Sequence, residues 1–367
     1  MQRIYKRKRV VGFLSYGAII SQNCHRWYNF SLVGKKVVTV GGGSGSPDLN
    51  RALLRTGRVD FITAVAAVFD SGGATGMRRL NSEGKEPAFS DAMRILLSLV
   101  NPGDLDGKFE VINKWFSDRD ARGRVLGQEI FHRFFNPETG YLQIIADLKK
   151  LGIGFSGTVV PSTTHSANIL FTTASGRKYQ GEHMLDIKSM SQDMVIDMEL
   201  VPPVPAFALA REAIAKARVI FLSYGSVHGS VLCNFLPDGM RQAISHSPAK
   251  IYLVTNLVSS RNETHNFSPQ DYIRVVRKYI GRPVDAIIVP AISRREFESK
   301  YPNVAALYKL EHSHFLGWEA DELNRVTKEG VKVITHRATK VVAVPDKGTT
   351  IVRHDSIRLA ETLAEIL

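Results

Sequence analysis

The sequence predicts an α/β protein, a doubly wound and mostly parallel Rossmann-like sheet with a small inserted antiparallel β subdomain. Three observations lead there. From Lys36 onward, short apolar runs alternate with segments of helical period, the order produced when parallel strands are joined by crossover helices. Phe61–Val68 is almost continuously apolar, as a parallel strand covered on both faces must be. Several of these runs end directly in loops of glycine and hydroxyl residues, at the edge where such sheets hold ligands.

In order, the strand candidates are Lys36–Val40, Phe61–Val68, Val219–Leu222, Ile251–Val254, Ala286–Val289 and Val331–Thr335. Helical periods cover Leu49–Thr56, Asp91–Val100, Val125–Phe135, Leu142–Leu151, Phe207–Ala217, Met240–His246, Pro269–Ile280 and Ile357–Ile366. One stretch breaks the rhythm: Phe155–Pro161, Asn168–Thr173 and Lys178–Glu182 read as antiparallel strands of a subdomain inserted over about residues 155–200. Pro202, Pro203 and Pro205 then make a rigid connection into the next helix. Residues 36–367 are expected to form the ligand-binding α/β domain, and residues 1–35 a poorly ordered extension.

Charge narrows the function. The formal net charge is +13, but eight basic residues and no acid precede Val37, which leaves +5 over the remaining 331 residues. That body carries no basic stripe of the kind nucleic-acid binding needs, so no nucleic-acid partner is expected. Val10–Ile20 is too short for a membrane span, which takes roughly 20 residues. Export through this segment and weak peripheral contact with anionic lipid through Arg3–Arg9 are the alternatives to a disordered start. Cys24 and Cys233 are too few and too differently placed for a disulfide framework or a metal site, which suits a reducing, cytoplasmic setting.

The loops are the informative part. Gly41-Gly42-Gly43-Ser44-Gly45 follows the first strand and precedes a helix. Glycines there let backbone N–H groups approach a phosphate, and the helix N-terminus favours its charge. Ser46 stands where a dinucleotide fingerprint needs its third glycine, and no Walker ending follows. A nicotinamide dehydrogenase is therefore a minor alternative, and a tight turn without a ligand is the plain one. The second run ends in Asp70-Ser71-Gly72-Gly73; Asp70 occupies the position of a ribose-binding carboxylate. Asp91 is either an N-cap or a carboxylate that holds a metal or a substrate hydroxyl. Tyr224–Ser230 adds Gly225, Ser226, His228 and Ser230 after the third run, and Asn256 opens a fourth loop. No nucleophile–base arrangement accompanies them.

Taken together these residues resemble the CofD/YvcK family, which comprises 2-phospho-L-lactate transferases and bacterial gluconeogenesis factors that bind nucleotide sugars. Gly41–Gly45 is similar to the family's Gly-Gly-Gly-Thr-Gly, and Val68–Gly76 to its Asp-Asp-Gly-Gly-Ser-Ser-Gly stretch, with Ser71 in place of the second aspartate. Asp91 matches the aspartate of Gly-Asp-Ile-Arg-Asn, and Gly123–Gln128 resembles Gly-His-Ser-Phe-Gly-Asn with both polar residues changed. Tyr224–Ser230, Asn256-Leu257, Glu263-Thr264, Gly330-Val331 and Arg353-His354-Asp355 continue the order to the C-terminal end.

The resemblance implies a YvcK-like binder of a nucleotide sugar such as UDP-N-acetylglucosamine, linking carbon metabolism to cell-wall synthesis and cell shape. Gly42, Gly43 and Ser44 would cradle phosphate, Asp70 and Asp91 would contact ribose, sugar or metal, Ser226 and His228 the diphosphate, and Asn256 the base or sugar. The alternative is a CofD-like transfer of a phospholactyl-type group from a nucleoside diphosphate carrier to a deazaflavin acceptor. Only that alternative asks for Mg²⁺, on Asp70 and Asp91, and the replacement at Ser71 removes a paired carboxylate from it. A homo-oligomer is compatible with either.

Overall fold

The computed structural model describes residues 35–81, 86–104, 107–187, 193–344 and 349–367. The basic cluster Arg3–Arg9, the apolar stretch after it and Cys24 lie outside the described residues.

Seven strands form one parallel sheet: β1 (Lys35–Gly41), β2 (Val59–Ala66), β3 (Gly157–Pro161), β7 (Val219–Leu222), β8 (Lys250–Val254), β9 (Ala286–Pro290) and β10 (Lys332–His336). Between β3 and β7 the chain forms β4 (Asn168–Thr173), β5 (Lys178–Gln180) and β6 (Val195–Val201). The sheet order is β10-β9-β8-β7-β1-β2-β3. The chain therefore winds from β1 outward through β2 to β3, returns to the other side of β1 at β7, and winds outward again to β10. The reversal lies between β1 and β7, the topological switch point that opens a crevice at the carboxyl edge.

Both faces of the sheet are covered, which is why its strands are apolar without alternation. Val38, Val40, Ile220, Leu222, Ile287 and Val289 pack into one core. Their neighbours Val37, Phe221, Ala286 and Ile288 pack into the other. The helix Pro269–Ile280 has the limits its sequence predicts, because both ends carry local signals. Ser268 and Asp271 make a reciprocal capping box, a proline opens the first turn, and Gly281 closes the helix in the left-handed region.

Two parts differ from the sequence expectation. Gly157–Pro161, expected in the antiparallel insertion, pairs parallel with β2 and forms an edge of the main sheet. Its five buried residues fit a parallel strand, but a short apolar run does not declare its partner. The antiparallel sheet is instead β5-β4-β6, with Ile169, Phe171, Met198 and Leu200 packed onto the first core. A second antiparallel pair, β11 (Thr339–Val344) and β12 (Thr349–His354), was not foreseen. It stands before the closing helix Ser356–Ile366.

Candidate functional site

The crevice between β1 and β7 is built by loops that touch backbone to backbone. A Cβ on Gly41 would stand 1.9 Å from Ser223 Oγ, one on Gly45 2.7 Å from the Tyr224 carbonyl, and one on Gly225 2.9 Å from the Gly42 carbonyl oxygen. The Ser46 and Ser223 hydroxyls, 2.7 Å apart and buried, bridge the two halves. Packing alone thus accounts for Gly41, Gly45 and Gly225. Gly43 is different: its φ of +63° lies in the left-handed region that favours glycine, yet the nearest foreign atom to an added Cβ is 3.4 Å away. Gly43 is half-buried and Ser44 exposed, so these two form the open crest of the loop. Ser44 makes no side-chain cap to the helix Gly45–Arg55, and that helix N-terminus is left available to an anion.

Asp91 lies directly beneath this crest. An added Cβ at Gly42 would meet its Oδ2 at 2.2 Å, and the Gly43 amide donates to its carboxylate. Arg94 Nη2 donates to Oδ1 at 2.6 Å. Burial pushes the Asp91 carboxyl above the usual carboxylate range; Arg94 opposes the shift and Asp70 adds to it. Asp70 also supports the backbone. Its Oδ1 accepts the Gly72 amide at 2.9 Å and its Oδ2 accepts the Ser90 hydroxyl at 2.6 Å, which ties the second glycine loop to the helix Ser90–Ser98. Gly72 is half-buried and Gly73 exposed, at the start of the helix Gly73–Asn81.

On the opposite wall, Ser226 caps a π-helical turn over Val227–Val231 by accepting the Gly229 amide, and donates to Glu263 Oε1 at 2.7 Å. His228 is fully buried, with Nδ1 3.6 Å from the same carboxylate. Its backbone amide donates to Glu263 Oε1 at 2.8 Å. Burial pushes the Glu263 carboxyl up, but the bonds from His228 and Ser226 outweigh it and hold the group below its ordinary value. The His228 ring therefore stands under the loop. Ser230 is buried at the edge of the crest, and Asn256 spends its amide on the Tyr224 and Gly225 carbonyls. Cys233 is buried and donates to the Gly229 carbonyl oxygen, and burial pushes its thiol well up.

Two contributors escaped the sequence. Glu182 and Asp186 sit on a 3₁₀ turn, Glu182–Asp186, that crosses the crevice from the insertion. Ser71 Oγ lies 2.8 Å from His183 Nδ1, and Asn262 Nδ2 donates to the Leu185 carbonyl at 2.7 Å. Burial, then the charges of Asp70, Asp91 and Glu263, push the Glu182 carboxyl up to about 8. A further contributor is the β12 end, which carries the Arg353-His354 motif already read from the sequence. Arg353 and His354 close a cavity of about 110 Å³ against Ser44, Gly45, Asp48 and Tyr224. A larger cavity of about 410 Å³ around Arg294 and Trp318 contains none of the predicted residues.

Both Asp70 oxygens already accept donors, and Asp91 holds Arg94 and the Gly43 amide. Among the described residues no group of three His, Cys, Asp or Glu is placed to hold a metal ion. No described helix is long and apolar enough to cross a membrane.

The fold and this crevice define a class: doubly wound α/β proteins whose glycine loops meet across a topological switch point. The family model described as 2-phospho-L-lactate transferase CofD matches residues 37–349, and the chain belongs to that family. It is 27% identical to a putative gluconeogenesis factor of Thermotoga maritima over 331 residues, 90% of this chain and 99% of the relative. It is 28% identical to a gluconeogenesis factor of Listeria innocua, over 83% of this chain and 93% of that one. A crystal structure of a Bacillus halodurans protein superposes with a TM-score of 0.73 at 25% identity, over 90% of this chain and 99% of the other.

Proposed function

We propose that this chain binds a nucleotide sugar, a UDP-sugar such as UDP-N-acetylglucosamine, across the β1–β7 crevice. In this reading it serves in the cytoplasm as a factor coupling carbon metabolism to cell-wall synthesis and cell shape. The observation that carries the reading is the open crest at Gly43 and the exposed Ser44 over an uncapped helix N-terminus, whose first-turn amides suit a diphosphate, while the Gly43 amide is held by Asp91. Ser226 and Ser230 approach from the opposite wall, on a turn held by Glu263. The relatives named gluconeogenesis factors support the link to carbon metabolism. Asp70 and Asp91 act here as supports of the loops, which favours binding over Mg²⁺-assisted transfer.

Phospholactyl-type transfer is the second reading, favoured by the description of the family model. Calorimetry of the full chain with UDP-N-acetylglucosamine, GDP and NADH, each with and without Mg²⁺, separates the readings. Metal-independent binding of the UDP-sugar is the expected result. Mg²⁺-dependent binding of GDP alone selects the transferase, and binding of NADH alone overturns both.

A further inference from the structure

The C-terminal hairpin β11–β12 stands on two histidines. His336 ends β10 just ahead of the hairpin, and His354 is the last residue of β12. Both are buried, at 1% and 5% exposure, and their ring centroids lie 5.2 Å apart. His354 also packs on Tyr224 of the loop after β7, with centroids 3.9 Å apart. The three rings join the feet of the hairpin to the main sheet.

This row of rings is short of polar partners. His336 Nδ1 accepts the Ala338 amide, which requires that nitrogen to be unprotonated. His336 Nε2, His354 Nε2 and Tyr224 Oη are buried without a hydrogen-bond partner. The charged groups nearby offer no counter-ion. Arg353 is itself a cation, Asp355 Oδ1 accepts the Ile357 and Arg358 amides, and Asp48 faces Tyr224 as an ion pair with Arg51. A protonated ring here would be a buried charge beside a second imidazole and a guanidinium. Burial accordingly pushes His336 down to about 4, and burial, His336 and Arg353 together push His354 well below its ordinary value.

The hairpin is attached separately from the sheet. Among the described residues β11 and β12 pair only with each other. Besides the histidines, Tyr308 Oη accepts the Val352 amide at 2.8 Å, and Val341 and Val352 join a small apolar cluster with Leu257 and Val304. Units held by so few contacts open locally at less than the cost of global unfolding, and opening this one takes both histidines into water together.

We propose that the hairpin is an acid-released clasp, closed while His336 and His354 are neutral and opened when protons bind them in water. Val352 and Arg353 line the cavity beside the crest, so opening removes one wall of the crevice. That consequence rests on the nucleotide reading above; the opening itself does not. Between the ordinary value of 6.5 and the folded value of about 4, the open hairpin holds more protons than the closed one. Acid therefore favours opening, and the closed form keeps its full stability above pH 6.5. From pH 7.5 to 5.5 each histidine raises the opening constant about tenfold, and the pair about 100-fold.

The test is hydrogen exchange of the full chain without nucleotide at pH 7.5 and 5.5, corrected for the intrinsic pH dependence of amide exchange. Amides of β11 and β12 are expected to exchange ahead of those of β8 at both pH values, with an opening constant about 100-fold larger at pH 5.5. His354→Phe keeps a ring on Tyr224 and removes one proton, so the rise should shrink to about tenfold. His336→Asn, whose Oδ1 replaces Nδ1 as acceptor for Ala338, should shrink it equally. Should neither variant fold, the parent's two exchange profiles still decide. Hairpin amides that exchange in step with β8, or an opening constant unchanged with pH, overturn the clasp. A rise that stays about 100-fold in both folded variants assigns the protons elsewhere and overturns it as well. A chain that shows the rise but binds no nucleotide by calorimetry overturns the nucleotide reading and not the clasp.

Discussion

His183 Nδ1 lies 2.8 Å from Ser71 Oγ, and the His183 backbone amide donates to the same hydroxyl at 3.1 Å. The residue that replaces the family's second aspartate thus fastens the insertion across the second glycine loop. That tether brings Glu182 over the crevice. Ser71→Ala removes both bonds from a partly exposed site, and about 1 kcal/mol of stability is expected to go with them. Ligand affinity should fall by more than that loss explains, because the turn Glu182–Asp186 is released; comparing denaturant midpoints with calorimetric Kd values separates the two.

Gly43→Asp tests the crest. Aspartate is among the few residues that tolerate positive φ, and the space around Gly43 is open, so the fold is expected to survive. The new charge would stand above the already buried Asp91, where the diphosphate belongs. Binding of UDP-N-acetylglucosamine should be lost while circular dichroism and the melting curve stay near those of the parent. Unchanged affinity would remove Gly43 from the site.

Glu182 makes the molecule sensitive to alkali. Its carboxyl keeps its proton in the fold up to about pH 8 and releases it near its ordinary value of 4.5 when the chain unfolds. Between those values the folded chain holds more protons than the unfolded one, so this group's contribution to stability falls as pH rises. Above about pH 8 a full negative charge also faces an incoming phosphate. Affinity for a diphosphate is expected to drop between pH 7 and 9, and Glu182→Gln should flatten that profile. An identical slope in the variant would assign the effect elsewhere.

His228 separates support from contact. It is fully buried with Nδ1 3.6 Å from Glu263 Oε1, and most substitutions cost about 0.5–3 kcal/mol. His228→Leu is expected to lower unfolding free energy on that scale and to loosen the turn Val227–Val231. At a temperature where the variant remains folded, its nucleotide affinity should stay within a few-fold of the parent. A loss of binding with full stability would instead make the ring a ligand contact.

How much of this was legible beforehand follows from the range of each signal. The helix Pro269–Ile280 was readable to the residue because a capping serine, a proline and a terminal glycine act within one turn. The helix after β1 starts at Gly45 rather than Leu49, since Gly45, Ser46 and Pro47 carry no apolar period although Pro47 suits a first turn. Gly157–Pro161 was assigned to the wrong sheet because five buried residues look alike in either. Glu182 was missed outright: it is an isolated acid after a short strand, 112 residues beyond Asp70 and 91 beyond Asp91, the two carboxylates it faces.

The local pattern of this chain was enough for its fold class and its glycine loops. Apolar runs, helical periods and turn residues act through neighbours in the chain, and they admit little besides a doubly wound sheet. Long-range packing decided how those loops are built. It assigned Gly41, Gly45 and Gly225 to interloop contact and left Gly43–Ser44 as the open crest. It gave Asp70, Asp91 and His228 partners within the loops, and it carried Arg353 from the C-terminal hairpin to the side of Asp48. Such meetings depend on where whole elements dock, and no short stretch of sequence encodes that.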